Sequence, residues 1–143
     1  MLLNITLVHY LEMSFCRDDD TPLNAALNYG YSILMSTVAR EIVSKGYLTQ
    51  TGICHRSEFN QFNFACDLME PFRPLVDKTI LSKFDGDFSK ELRHQLSDLI
   101  NEELPYKDGR YRLSSVISGF VQDCLNSLNK KTSVSDISSF ELS

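Results

Sequence analysis

The chain has 143 residues, enough for one domain with a single sizeable core. With 43% hydrophobic and 23% charged residues, its composition is that of a soluble globular protein and excludes a disordered or membrane-embedded chain. The formal net charge of −5 gives no indication of DNA binding through bulk charge, although a local basic patch would suffice for it.

The four cysteines, Cys16, Cys54, Cys66 and Cys124, lack any paired spacing, which argues against a zinc site or a redox dithiol. We therefore expect reduced thiols in a cytoplasmic protein. Residues 1–11 are apolar, but they lack a basic region and a cleavage site and are too short to span a bilayer. The sequence thus predicts no targeting segment and no membrane segment.

The first predicted helix begins at Pro22, because proline suits the first helical position and Asp20 or Thr21 can cap it. It ends before Gly46, a residue typical of helix C-termini. Its apolar side chains recur every three or four residues, at Leu23, Leu27, Leu34, Val38 and Ile42.

A shorter helix is predicted to begin after Ser57 or Asn60, either of which can cap it, and to run to Glu70. One face of this helix is polar and comprises Asn60, Asn63, Asp67 and Glu70. The opposite face is apolar and comprises Phe62, Ala65, Leu68 and Met69. From the pattern alone, the polar face is either plain solvent-exposed surface or part of a site.

Pro71 and Pro74 interrupt the chain, and the next helix is predicted over residues 73–83. Ser89 then caps a helix that is predicted to extend to Leu104. The last predicted helix runs over residues 113–129.

No segment reads convincingly as a strand, so the predicted fold is all-α, an irregular bundle of about five or six helices. We expect residues 1–131 to form one helical domain, in which residues 1–16 are assigned to no definite element. The Ser-rich residues 132–143 are expected to form a flexible tail.

Three motifs occur in one order, namely Asn24 to Tyr31, Gly52 to His55, and Asp67 to Pro74 followed by Asp77. Together they resemble the helical domain of the CRISPR-associated integrase family, and the type II branch is the closest match. The resemblance is strong over residues 17–84. It implies a metal-dependent DNA endonuclease and integrase that inserts short DNA pieces into a CRISPR array.

The resemblance further implies that His55 and Glu70 are catalytic metal ligands for Mn²⁺ or Mg²⁺. Imidazole as a ligand favours tolerance of Mn²⁺, because Mg²⁺ prefers oxygen. One straight helix would separate these two residues by about 22 Å, so the site requires residues 56–60 to double back as a loop. Asp67 would help to orient the site or stay outside it, and Asn63 lies on the same polar face.

Arg56 and Arg73 are candidates for contact with DNA phosphates, and surface ion pairing is the alternative for both. Arg73 in particular could pair with Asp77, which follows it by four residues.

The family has a third ligand, a glutamate on a helix upstream of the Asn24 motif, and by spacing it would precede Met1. The chain therefore resembles a fragment without the family's N-terminal β-domain, and we expect it to be inactive alone. In the family, the full-length assembly binds DNA, forms a homodimer or other homo-oligomer, and contacts a small ferredoxin-like CRISPR adaptation protein. The alternative is a non-catalytic helical module for interaction or oligomerisation.

Overall fold

The computed structural model describes residues 20–55 and 57–129. Within these residues the elements are helices α1 (Pro22–Ser44), α2 (Asn63–Met69), α3 (Arg73–Lys83) and α4 (Lys90–Asp98), strands β1 (Glu103–Tyr106) and β2 (Gly109–Arg112), and helix α5 (Leu113–Leu128). Single 3₁₀ turns, Glu70–Phe72 and Leu99–Asn101, follow α2 and α4. The predictions for residues 1–16 and 132–143 lie outside the described residues.

The long helix α1 is central, since α2, α3, α4 and α5 all pack against it. It begins as predicted, because the Thr21 hydroxyl accepts a hydrogen bond from the Asn24 amide at 3.2 Å and Pro22 takes the first helical position. It ends at the Lys45 C-cap, and Gly46 follows with φ of +83°, a conformation that glycine adopts without strain.

Gly30 lets α3 approach α1 closely. A Cβ at this position would lie 2.4 Å from Cγ1 of Val76 on α3 and 3.4 Å from a methyl carbon of Leu96 on α4. A glycine costs α1 about 1 kcal/mol in helix propensity, and here the cost is offset by the packing of three helices.

The predicted helices over residues 73–83 and 113–129 are confirmed, the second ending one residue earlier than expected. The Ser89 hydroxyl caps α4 by accepting from the Leu92 amide at 3.1 Å, also as predicted. The all-α prediction is thus confirmed as a predominantly helical bundle with five α-helices in the described part of the chain.

The prediction of a helix up to Leu104, with no strand anywhere, was wrong. Helix α4 stops at Asp98, and residues 103–112 form an antiparallel hairpin in which Tyr106 pairs with Gly109. Pro105 has no backbone N–H to donate to a helical hydrogen bond. Leu104 and Tyr106, on either side of it, lie on the same face of the strand and are buried, with 4% and 6% exposure. Local alternation and packing therefore prevail over the leucine spacing.

The core lies where all five helices meet, and Phe72 is its largest fully buried side chain. Its ring contacts that of Phe120 on α5 edge to face, with centroids 5.4 Å apart. None of the described helices is long and apolar enough to cross a membrane.

Candidate functional site

The segment before α2 folds back onto the start of that helix. The Phe64 amide donates to the Thr49 carbonyl at 2.9 Å, and the Asn63 side-chain amide donates to the carbonyls of Gln50 and Ser57 at 3.0 and 2.7 Å. Asn63 is only 4% exposed, so its role is to tie the loop together from inside. The chain doubles back here, as the sequence analysis required.

The predicted cap of α2 was wrong, because the helix begins at Asn63 with Phe62 at the N-cap and no capping side chain. The residues before it form a turn, in which the Asn60 amide donates to the Ser57 carbonyl at 3.2 Å. The Asn60 side chain accepts from the Phe62 amide at 2.9 Å. Asn60 therefore stabilises the turn instead of opening the helix.

The carboxylate of Asp67 holds the loop against α2. It accepts hydrogen bonds from the backbone amides of Cys54 at 2.9 Å and His55 at 3.0 Å, and from that of Ile53. It also bonds Nδ1 of His55 at 2.6 Å, and its side chain is 7% exposed. Burial acts to raise the pKa of Asp67, but the hydrogen bonds from the His55 side chain and these backbone amides together lower it below its ordinary value.

This lowered pKa gives a prediction for acid stability. Because the folded pKa of Asp67 lies below its unfolded value, the stabilisation is complete above the unfolded value, about 3.9, and disappears as pH falls through the folded one. We expect the difference in unfolding free energy between the parent chain and Asp67→Ala to shrink as pH falls below about 4. Urea unfolding at each pH measures it. A difference that grew in acid would contradict the assignment.

The contact with Asp67 determines which nitrogen of His55 faces outward. An ionised carboxylate only accepts hydrogen bonds, so Nδ1 carries the proton and, in the neutral ring, Nε2 bears the lone pair. The imidazole is 44% exposed, which leaves Nε2 accessible. A histidine whose one nitrogen is held by a carboxylate is the usual arrangement of a metal ligand.

Glu70 begins the 3₁₀ turn directly after α2, three residues beyond Asp67. Residues three apart on a helical turn are neighbours, about 5–6 Å between Cβ atoms. Glu70 thus lies about one turn beyond Asp67, the residue that holds His55. The Glu70 side chain is 45% exposed and forms an ion pair with Nη1 of Arg73 at 2.8 Å.

Arg73 pairs with Glu70 rather than with Asp77. Its guanidinium also lies over the ring of Tyr31 on α1, 4.4 Å from the centroid, and the Tyr31 hydroxyl donates to Asp77. Sequence reasoning noted the motif containing Tyr31 but missed this role, since no local pattern relates it to Arg73. The other predicted arginine, Arg56, lies outside the described residues.

Gly52 has a structural role that the sequence analysis also missed. A Cβ there would lie 2.2 Å from the His55 carbonyl oxygen, 2.8 Å from Cβ of Asn63 and 3.0 Å from Oδ2 of Asp67. A side chain at this position would push the loop away from the Asp67 carboxylate. The signal available in the sequence was its place just before His55 in one motif.

As a set of metal donors, the arrangement is partial. Among residues 20–55 and 57–129, no group of three or more His, Cys, Asp or Glu side chains is placed to hold a metal ion. The Nε2 atom of His55 and the carboxylate of Glu70 are a nitrogen and an oxygen donor, both of kinds that Mn²⁺ accepts. The chemistry of the pair thus fits half of a divalent-cation site.

The comparisons with known proteins match the part of the chain that contains these residues. The family described as CRISPR associated protein Cas1 matches residues 16–95. The CRISPR-associated endonuclease Cas1 of Neisseria meningitidis serogroup C is 40% identical over 94 residues, which are 65% of this chain and 31% of that protein. That of Korarchaeum cryptofilum is 28% identical over 120 residues, covering 75% and 35%.

A solved structure, a casposase bound to integration product, superposes with a TM-score of 0.66 at 25% identity and covers 77% of this chain and 38% of that one. The chain spans about a third of the length of the curated relatives named above.

Proposed function

The chain belongs to the CRISPR associated protein Cas1 family, and we propose that it forms the helical catalytic lobe of a metal-dependent DNA endonuclease and integrase of CRISPR spacer acquisition. The observation that carries this proposal is the contact between Asp67 and Nδ1 of His55, which leaves Nε2 free of that partner in a side chain that is 44% exposed. Metal-binding histidines usually donate their other ring N–H to a carboxylate in this way.

In this proposal His55 and Glu70 hold a divalent cation, Mn²⁺ or Mg²⁺, and Asp67 positions His55. When bound, the cation would stabilise negative charge on phosphate oxygens as a phosphodiester is broken or joined. Asn63 keeps the loop that carries His55 in place through its bonds to two carbonyls. The ring of His55 then needs little reorganisation to bind, which favours affinity.

Catalysis requires more than this half-site. The resemblance assigns a third ligand to a glutamate upstream of the motif at Asn24, and the described residues hold no group of three His, Cys, Asp or Glu side chains that could bind a metal ion. We therefore propose that the lobe is inactive without that glutamate. We also propose that DNA binds it within the full-length family assembly, with Arg73 and Arg56 contacting phosphates, and that this assembly is a homodimer or other homo-oligomer with the small ferredoxin-like adaptation protein.

A second candidate is a helical interaction module without catalysis. Its support is apolar surface around the loop, where Phe59 is 97% exposed, Leu48 72% and Ile53 49%. Exposed apolar groups of this kind are typical of contact surfaces. The two candidates differ in whether Glu70 affects cation binding.

The test of the first candidate is stabilisation by Mn²⁺. At ten times the dissociation constant, one bound ion contributes roughly 1.4 kcal/mol, which corresponds to a rise of about 3–6 °C in Tm. We expect the parent chain to show this rise by thermal scanning and Glu70→Gln to abolish it. Glu91→Gln, an exposed acid on α4, is the matched control and should retain it. No rise in the parent, or an undiminished rise in Glu70→Gln, would contradict the proposal.

A further inference from the structure

The carboxylate proposed as a cation ligand already has a cationic partner. Nη1 of Arg73 lies 2.8 Å from Oε1 of Glu70, and the two residues are three positions apart where the 3₁₀ turn meets α3. We propose that Arg73 competes with the divalent cation for Glu70, so that this ion pair sets the cation affinity of the site. This inference rests on the proposed function for Glu70.

The surroundings of Arg73 keep its charge near Glu70. The guanidinium stacks on Tyr31 at 4.4 Å from the ring centroid, and the hydroxyl of Tyr31 is in turn bonded to Asp77 on α3. The Arg73 side chain is 24% exposed, so water screens its charge only in part. The ring contact and the ion pair both favour this position of the guanidinium.

The nitrogens of the Arg73 guanidinium also differ in their hydrogen bonding. Nε is buried and has no hydrogen-bond partner within the part of the chain that the structure describes, so the ion pair with Glu70 is an important compensation for the burial of this group. A divalent cation at Glu70 must either displace Nη1 from Oε1 or bind the other oxygen with the guanidinium close by. Both routes cost free energy, the first through the lost ion pair and the second through repulsion between like charges.

The competition predicts the direction in which a substitution of Arg73 changes cation affinity. A neutral side chain at position 73 removes the competitor and the repulsion, and should tighten cation binding, whereas most substitutions beside a binding site weaken it. A positively charged side chain should preserve the effect. The ion pair would thus keep Glu70 ordered and neutralised, and the site would fill only when the cation concentration is high enough to displace Arg73.

The test is titration with Mn²⁺ by isothermal calorimetry at low ionic strength. Arg73→Gln is expected to lower the Mn²⁺ dissociation constant roughly three- to tenfold, since exposed and half-buried charges of this kind are worth about 1 kcal/mol. Arg73→Lys, which retains the charge, should stay within about twofold of the parent. Adding Glu70→Gln to Arg73→Gln should abolish binding. Circular dichroism verifies folding, and Arg73→Met replaces Arg73→Gln if the latter does not fold.

The outcomes distinguish a failure of the proposed competition from a failure of the proposed function. Unchanged or weaker binding in Arg73→Gln, with Glu70-dependent binding in the parent, would overturn the competition and leave the proposed function standing. Binding that appears only in Arg73→Gln and depends on Glu70 would support it while contradicting a working site in the parent. Mn²⁺ binding in neither protein would overturn both, and equal tightening in Arg73→Lys would show that charge is not the cause.

Discussion

Replacing Phe72 by alanine is expected to lower the free energy of unfolding by about 3–5 kcal/mol, the typical cost of deleting a large aromatic side chain from a core. Phe72 is 0% exposed and is the largest fully buried side chain in the described residues. It sits in the 3₁₀ turn between α2 and α3 and contacts Phe120 on α5 edge to face. Its loss would leave a cavity that the surrounding helices cannot close by small adjustments.

Urea unfolding followed by far-UV circular dichroism measures this loss. Phe59→Ala is the matched control, because the same substitution at a 97% exposed position should change stability by no more than about 0.5 kcal/mol. Equal effects of the two substitutions would mean that Phe72 is not the buried link between these helices.

Asp67→Ala is expected to cost about 2–3 kcal/mol and to abolish the response to Mn²⁺. The substitution removes the acceptor of three consecutive backbone amides, those of residues 53–55, and of the His55 ring. Hydrogen bonds to an ionised group are worth more than neutral ones, and amides deprived of a buried partner must find water instead. The loop would then no longer fix the orientation of the imidazole.

Two measurements separate this outcome from a general loss of stability. Hydrogen exchange should become fast at the amides of residues 53–55, while the amides of α1 remain protected under conditions where the variant is folded. Asp98→Ala, an exposed acid that bonds the Asn101 side chain at 2.7 Å, is the control and should leave the loop amides unchanged. Retained protection of the loop amides in Asp67→Ala would refute the role given to its carboxylate.

Much of the helical framework could be predicted from the sequence because its signals are local. Thr21 with Pro22, Ser89, and Gly46 are start and stop signals that act within one turn of the chain, and the structure uses all of them. The hairpin at residues 103–112 could not be predicted in the same way. The leucine spacing of the segment before it also suits a helix that continues to Leu104. The choice of strand over helix depends on Leu104 and Tyr106, two positions apart, both reaching the core.

Three motifs suggested the candidate site, and their joint occurrence in one order and spacing indicated the family to which the chain belongs. Those motifs could not specify which side chains contact one another in the folded chain. Tyr31 lies under Arg73, and Gly52 lies against the His55 carbonyl, because α1 crosses α3 and because the loop returns to α2. Such partners are distant in sequence and have no shared period, so propensity and spacing carry no information about them.

The sequence by itself thus determined both ends of α1, the start of α4 and which residue types are available for metal chemistry. The tertiary structure alone decided that Asp67 holds His55, which precedes it by twelve positions, and that Tyr31 lies under Arg73. The physical reason is that capping and periodicity are settled within one helical turn, whereas the geometry of a site depends on how whole helices pack against one another.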